Sequence, residues 1–133
     1  MERLVLDTSV WIAIERGLTS FDEVFKKSFQ VLLPAMVLSE LKSNSLDPSM
    51  GEAHKRMSME FVHVIEQLAE FVPVDKKVVR SYVDLSFYCR SVGKPRGTAD
   101  LLIAATAVAM DAALITLDKA ARFEELPNVR VVA

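Results

Sequence analysis

The chain has 133 residues, of which 51% are hydrophobic and 26% charged. These proportions exclude a disordered chain and predict one domain, residues 1–133, with a core large enough to need no disulfide or structural metal. The net charge of -2 leaves nucleic-acid binding open, because a basic groove can lie on a mildly acidic protein. Without a secretory leader or an apolar run of about 18 residues, we expect a cytoplasmic protein that does not span a membrane.

The first part of the chain alternates short apolar runs with helical patterns. Residues 4–6 predict a buried strand, which ends at the helix-capping cluster of residues 7–9. Residues 31–33 predict a second strand, and Pro34 suits the first turn of the helix that follows. A short amphipathic helix is predicted between these strands from apolar side chains spaced three or four apart: Phe21, Val24, Phe25 and Phe29.

The middle of the chain contains the longest predicted helix. Its apolar stripe, about five turns long, consists of Met50, Ala53, Met57, Phe61, Val64, Ile65 and Leu68. Residues 70–74 predict a short strand that Pro73 restricts to an edge or a strand end. A further helical stripe at residues 78–85 is followed by a turn at residues 93–97.

The last part of the chain predicts an unusually apolar helix. Thr98 is its expected N-cap, and residues 99–110 are apolar on nearly every side, which indicates a central position. A strand at residues 113–116, a short helix at 118–123 and a strand at 129–132 follow. The alternation predicts an α/β fold in which helices cover both faces of a central parallel sheet.

Acidic residues lie where two of these strands end and where the apolar helix begins. Asp7 and Asp118 follow strands, and Asp100 lies in the first turn of the apolar helix. Because the carboxyl ends of parallel strands share one edge, and because a helix dipole favours a carboxylate at the helix start, we expect these acids to converge. Glu40, whose long side chain leans back toward the start of its helix, is expected to reach them as a fourth.

A cluster of carboxylates predicts a hard divalent cation, Mg²⁺ or Mn²⁺, because crowded negative charges repel one another without a positive charge among them. Such an ion polarises a phosphoryl oxygen and activates water for displacement at phosphorus. Thr8, Ser9 and Thr116 are expected to support the ion, a water or a phosphate with their hydroxyls. Taken singly, each aspartate is better explained as a helix-start residue that contributes about 0.5–2 kcal/mol, whereas the acids taken together favour catalysis.

Basic residues lie near the expected acidic cluster. Arg90, Lys94 and Arg96 precede Asp100, and Lys119 follows the last of the acids. They could form a cationic rim that holds an RNA backbone beside the metal site. Solvated loop charge is an equally good explanation of the same residues.

In their order along the chain, four motifs resemble the PIN-domain family, and within it the VapC-type toxins of prokaryotic toxin–antitoxin pairs. They lie at residues 4–10, 39–41, 99–107 and 114–118. The resemblance implies a three-layer α/β/α PIN-like fold and a Mg²⁺- or Mn²⁺-dependent endoribonuclease. The catalytic, metal-binding acids it implies are Asp7, Glu40, Asp100 and Asp118, with Thr116 at the family's threonine position.

The same resemblance implies an RNA substrate, a small antitoxin that neutralises the enzyme, and a homodimer. A mean hydropathy of +0.25 is consistent with an apolar surface for such a partner. Two alternatives stay open: a non-catalytic PIN-like module that binds RNA or protein, and an RNA-processing PIN nuclease without an antitoxin. A phosphotransfer receiver domain is disfavoured, because Thr8 stands where that fold has a second acid after the first strand.

Overall fold

The computed structural model of the chain describes residues 2–24 and 29–132. The strands within those ranges are β1 (Glu2–Leu6), β2 (Phe29–Pro34), β3 (Glu70–Val72), β4 (Ala113–Ile115) and β5 (Val131–Val132). The helices are α1 (Thr8–Glu15), α2 (Phe21–Val24), α3 (Ala35–Ser45), α4 (Glu52–Leu68), α5 (Lys76–Ser91) and α6 (Thr98–Ala109). A 3-10 helix follows β4 at Phe123–Glu125.

The strands form one parallel sheet in the order β3-β2-β1-β4-β5. β1 lies at its centre, with Leu4 paired to Val31 on one side and to Ala113 on the other. Helices flank the sheet, so the three-layer α/β/α fold predicted from the sequence is confirmed. The direction of chain progression reverses between β2 and β4, on either side of β1, and the carboxyl edge of this switch point is where ligands of such sheets bind.

The core is built on the apolar strands and on α6. Val5, Leu6 and Leu114 have no exposed surface, as expected of strands covered on both faces. α6 contributes small side chains such as Ala104 and Ala105, which are also fully buried and allow close approach to β1, β4 and α5. The helix is therefore central, as its apolar sequence predicts. None of the helices in the described part of the chain has the length and apolar character needed to cross a bilayer.

Three local predictions were wrong in detail. α6 begins at Thr98, but its N-cap is Gly97, and no side chain caps it. The helix predicted at residues 118–123 does not form: residues 118–122 make a turn and Phe123 begins the 3-10 helix, because Arg122 has a left-handed backbone (φ 48°) that interrupts helical geometry. In the helix predicted from aromatic spacing, α2 ends at Val24 and Phe29 begins β2, while Phe25 lies outside the described residues.

α4 packs through a different face from the one its apolar stripe predicts. The buried residues are Ser58, Val62 and Ile65, of which Ile65 alone belongs to the predicted stripe, whereas the stripe residues Met57 and Leu68 are 69% and 63% exposed. The two faces are one residue apart on the helix, a rotation of about 100°. The stripe is therefore mostly a surface feature.

Candidate active site

Asp7 is the most restrained acid of the site. It follows β1 as the N-cap of α1, and only 4% of it is exposed. Its Oδ1 accepts hydrogen bonds from Val10 N (3.3 Å) and from Ser9 Oγ, and its Oδ2 accepts one from Thr116 Oγ1. Its own N–H donates to the carbonyl oxygen of Ile115 at the end of β4 (3.1 Å). Both carboxylate oxygens are thus held in fixed directions. The same side chain caps α1 and forms part of the candidate site.

The hydroxyls beside Asp7 join the loops that follow β1 and β4. Thr116 Oγ1, which donates to Asp7, accepts a hydrogen bond from Asp118 N (2.9 Å). Ser9 Oγ, which also donates to Asp7, accepts one from Leu117 N (3.1 Å). Asp118 is therefore held near Asp7 through one intervening hydroxyl, although the two residues are far apart in the sequence.

Glu40 enters the site from α3. Thr8 Oγ1 donates a hydrogen bond to Glu40 Oε1 (2.7 Å), and this contact links α3 to the first residue of α1. Both residues are partly buried. The structure therefore gives every predicted supporting hydroxyl an acidic partner: Thr8 contacts Glu40, whereas Ser9 and Thr116 contact Asp7.

Asp100 completes the group from the first turn of α6. Burial raises the pKa of its carboxyl above the ordinary value, and the nearby charges of Asp118, Glu40 and Asp7 raise that pKa further. The positive charge of Arg96 acts in the opposite direction and lowers it. The four acids are thus close enough to repel one another, as expected from their positions at one edge of the sheet.

The chemistry of this donor set fits a hard divalent cation. All candidate ligands are carboxylate or hydroxyl oxygens, which are the ligands that Mg²⁺ and Mn²⁺ prefer. A cation would also relieve the repulsion that raises the pKa of Asp100. Within residues 2–24 and 29–132, however, no three His, Cys, Asp or Glu side chains are yet arranged around a common point.

The basic residues predicted at the rim do not share one environment. Arg90, Lys94 and Lys119 are exposed. Lys94 also lines a cleft of about 440 Å³, together with Asp100 and Arg122. A cationic cleft next to the acids is a suitable place for a polyanion.

Arg96 lines the same cleft, but its side chain is only 11% exposed. Its guanidinium donates to the carbonyl oxygens of Ala121 and Arg122 and pairs with Glu125. Glu125 was missed by the sequence reasoning. Its partner is 29 residues away, and no local pattern connects the two.

A parallel α/β/α domain that brings Asp and Glu residues together at its switch point has the architecture of a PIN domain. The PIN-domain family model matches residues 4–128, and the chain belongs to this family. It is 30% identical over 118 residues to "Ribonuclease VapC1" of Rickettsia felis, covering 86% of this chain and 84% of that protein. It is 28% identical over 131 residues to "Ribonuclease VapC" of Rickettsia bellii, covering 97% and 94%.

A solved structure with a similar fold is that of VapBC2 from Rickettsia felis bound to a DNA fragment from its promoter. The TM-score is 0.83 at 21% identity, and the match covers 98% of this chain and 97% of the other. At this level of identity the likeness concerns the fold. It confirms the PIN-like architecture that the four sequence motifs predicted.

Proposed function

We propose that this protein is a Mg²⁺- or Mn²⁺-dependent endoribonuclease that hydrolyses RNA phosphodiester bonds and acts as the toxin of a VapBC-type toxin–antitoxin pair. The observation that carries the proposal is the gathering of Asp7, Glu40, Asp100 and Asp118 at the carboxyl edge of β1 and β4. The ribonuclease names of the two Rickettsia relatives support the reaction class. Fold alone would not do so, since one fold serves many functions.

Each acid has a separate task in the proposed mechanism. Asp7 would be one of the ligands, and the hydrogen bonds from Ser9 and Thr116 would orient its carboxylate. Thr8 orients Glu40 in the same way through Oε1. Asp100, whose pKa is raised by burial and by neighbouring acids, is a carboxyl whose ionised form a cation would stabilise.

A bound divalent cation would polarise a phosphoryl oxygen and lower the pKa of a bound water. The protein's contribution is to hold the ligands and to place the RNA backbone. Lys94 and Arg122 border the cleft beside Asp100 and can neutralise phosphates there. The exposed Arg90 and Lys119 extend this cationic rim in the proposal.

The proposed partners are an antitoxin and a second copy of the chain, in the cytoplasm. The likeness to the VapBC2 complex supports the first. Exposed apolar side chains on α4 and α5 are compatible with either, among them Met57, Leu68, Val83 and Phe87. An RNA-processing nuclease without an antitoxin would have the same chemistry, and a non-catalytic PIN-like module would have none.

The test is cleavage of a mixed, structured RNA by the purified protein with Mn²⁺, with EDTA, and with the Asp100→Asn variant. Asp84→Asn, at an exposed acid in the middle of α5, is the matched control. We expect discrete products only with Mn²⁺, at least about a hundredfold slower with Asp100→Asn and unchanged with Asp84→Asn. If a preparation free of copurified inhibitor cuts nothing under any condition, the non-catalytic module is the better description.

The toxin role has its own test. Induced expression of the wild-type chain in a bacterium is expected to stop growth, whereas Asp7→Asn is expected to leave growth normal at equal protein levels. Growth arrest by both proteins would mean that RNA cleavage is not the cause.

A further inference from the structure

The Arg96 side chain connects two segments that carry acids of the site. It lies in the loop just before α6, two residues ahead of the first residue of that helix. Its Nη1 donates to the carbonyl oxygens of Ala121 and of Arg122 (2.7 Å to the latter), and its Nη2 contacts Glu125 Oε1 at 3.2 Å. Ala121 and Arg122 belong to the loop that starts at Asp118, and Glu125 is the last residue of the 3-10 helix that follows it.

The loop is held from its other side by Asp118 itself. Asp118 Oδ1 accepts hydrogen bonds from the backbone N–H groups of Ala120 (3.1 Å) and Ala121 (3.2 Å). The peptide groups of Ala121 are therefore restrained at both ends, with the N–H bound to Asp118 and the C=O bound to Arg96. A shift of this peptide would move the Asp118 carboxylate with it.

The backbone of Arg122 indicates that the loop conformation depends on such restraints. Its φ of 48° lies in the left-handed region, which a side chain other than Gly disfavours. A backbone conformation of this kind persists where several surrounding contacts stabilise it. The carbonyl of this residue is one of the acceptors of Arg96.

We propose that Arg96 is a positioning residue that fixes the Asp118 loop against the start of α6, and so sets the separation of the Asp118 and Asp100 carboxylates around a bound cation. This inference rests on the proposed function, because the spacing of these carboxylates matters only if the protein is a metal-dependent nuclease. Arginine suits it, because a planar guanidinium can donate to several fixed acceptors at once. A lysine would carry the same charge without that geometry.

Three other roles would predict different results. Arg96 could bind an RNA phosphate directly, as its place in the sequence first indicated. It could act on Asp100 through its charge alone. It could also stabilise the fold with no effect on the site. The near-complete burial of the side chain and its several protein acceptors favour positioning over RNA binding.

The experiment compares Arg96→Lys, Arg96→Gln and Glu125→Gln in the full chain. Arg130→Gln is the matched control, because Arg130 also bonds a carbonyl oxygen (Asp111) and pairs with a carboxylate (Glu2), near the start of β1 rather than its end. Three quantities are measured: hydrogen exchange of the Ala120 and Ala121 amides, the dissociation constant of Mn²⁺, and kcat and KM for RNA cleavage. The first two need no catalytic activity.

With Arg96→Lys and Arg96→Gln, we expect exchange at both amides to be at least about tenfold faster. Mn²⁺ binding should be about 10–100-fold weaker, as is typical when a residue that orients a ligand is lost. kcat should fall with KM for RNA within about threefold. Glu125→Gln keeps the carbonyl contacts and should have a smaller effect of the same kind. Arg130→Gln should change none of these quantities by more than about twofold.

Several results would overturn the proposal. If Arg96→Lys shows normal hydrogen exchange and normal Mn²⁺ binding, the positive charge of Arg96 matters and the geometry of its guanidinium does not. A higher KM with unchanged kcat would indicate a phosphate ligand. Lower thermal stability with normal exchange and Mn²⁺ affinity would indicate a structural role only. If the wild-type chain cuts no RNA, the proposed nuclease fails, but the exchange and Mn²⁺ measurements still decide the role of Arg96. If Arg96→Gln does not fold, Arg96→Lys and Glu125→Gln decide it.

Discussion

Replacing Thr116 with Val tests the hydroxyl network at the site. The substitution keeps the shape of the side chain but removes the hydroxyl that donates to Asp7 Oδ2 and accepts from Asp118 N. A hydrogen bond to a charged group contributes about 1.5–3 kcal/mol to stability. Water cannot easily replace the lost hydrogen bond to Asp7, which is 4% exposed, but it can replace the one to the exposed Asp118. We therefore expect the free energy of unfolding to fall by about 2 kcal/mol.

This loss of stability corresponds to a measurable change in Tm. The entropy of unfolding is about 2.1 cal/mol/K per residue near 60 °C, which for 133 residues is about 280 cal/mol/K. Thr116→Val should therefore lower Tm by about 7 °C. The assay is urea and thermal unfolding in EDTA, because a bound cation would add its own stabilisation.

Two controls identify the cause. Thr116→Ser keeps the hydroxyl and should retain most of the stability. In an Asp7→Asn background the acceptor is neutral, so Thr116→Val should cost about 1 kcal/mol less than in the wild type. A loss below about 0.5 kcal/mol for Thr116→Val, or equal losses for Val and Ser, would refute the hydrogen-bonded role of this hydroxyl.

Three further predictions concern stability. The pKa of Asp100 is raised in the folded state, so the folded protein holds a proton on this carboxyl more tightly than the unfolded chain does, and stability falls as pH rises from the unfolded pKa of 3.8 through the folded pKa. In EDTA, Asp100→Asn should therefore be more stable than the wild type at pH 7 and equal to it at pH 3. As a control, Asp84→Asn at an exposed position should change stability by less than about 0.5 kcal/mol at either pH. Ala104→Leu places a larger side chain in fully buried space and should cost about 1–3 kcal/mol in urea unfolding; an unchanged midpoint would contradict the close packing of α6. On α4, Ile65→Ala should cost about 2–5 kcal/mol and Leu68→Ala less than about 1, and the reverse order would contradict the packing of α4 through Ile65.

The sequence predicted the position of α4 in the chain better than it predicted which face of the helix is buried. Residues spaced for a helix define where it lies, because that spacing depends only on the helical period. The stripe contains Met57, Val64 and Leu68, which are exposed, while the helix packs through Ser58, Val62 and Ile65. The choice between adjacent faces depends on the surfaces of neighbouring elements. A single helical pattern does not contain that information when apolar side chains occur on both faces.

The loop after β4 shows a similar limit. Residues 118–123 fit a short helix, and Asp118 accepts hydrogen bonds from two following amides as a helix N-cap does, but the left-handed backbone of Arg122 prevents the helix from continuing. Arg96 then fixes that turn from another part of the fold. The conformation of this loop is therefore fixed in part by contacts with a distant segment, which local helix propensity does not include.

The sequence by itself determined the alternation of strands and helices, the central position of α6, and the positions of Asp7, Asp100 and Asp118 at strand ends or a helix start. These follow from local periodicity, from capping, and from the rule that parallel strands end at one edge of a sheet. Only the tertiary structure decided the pairing of Thr8 with Glu40 and of Arg96 with Glu125. Those contacts join distant segments, and their geometry exists only after the sheet and helices have packed.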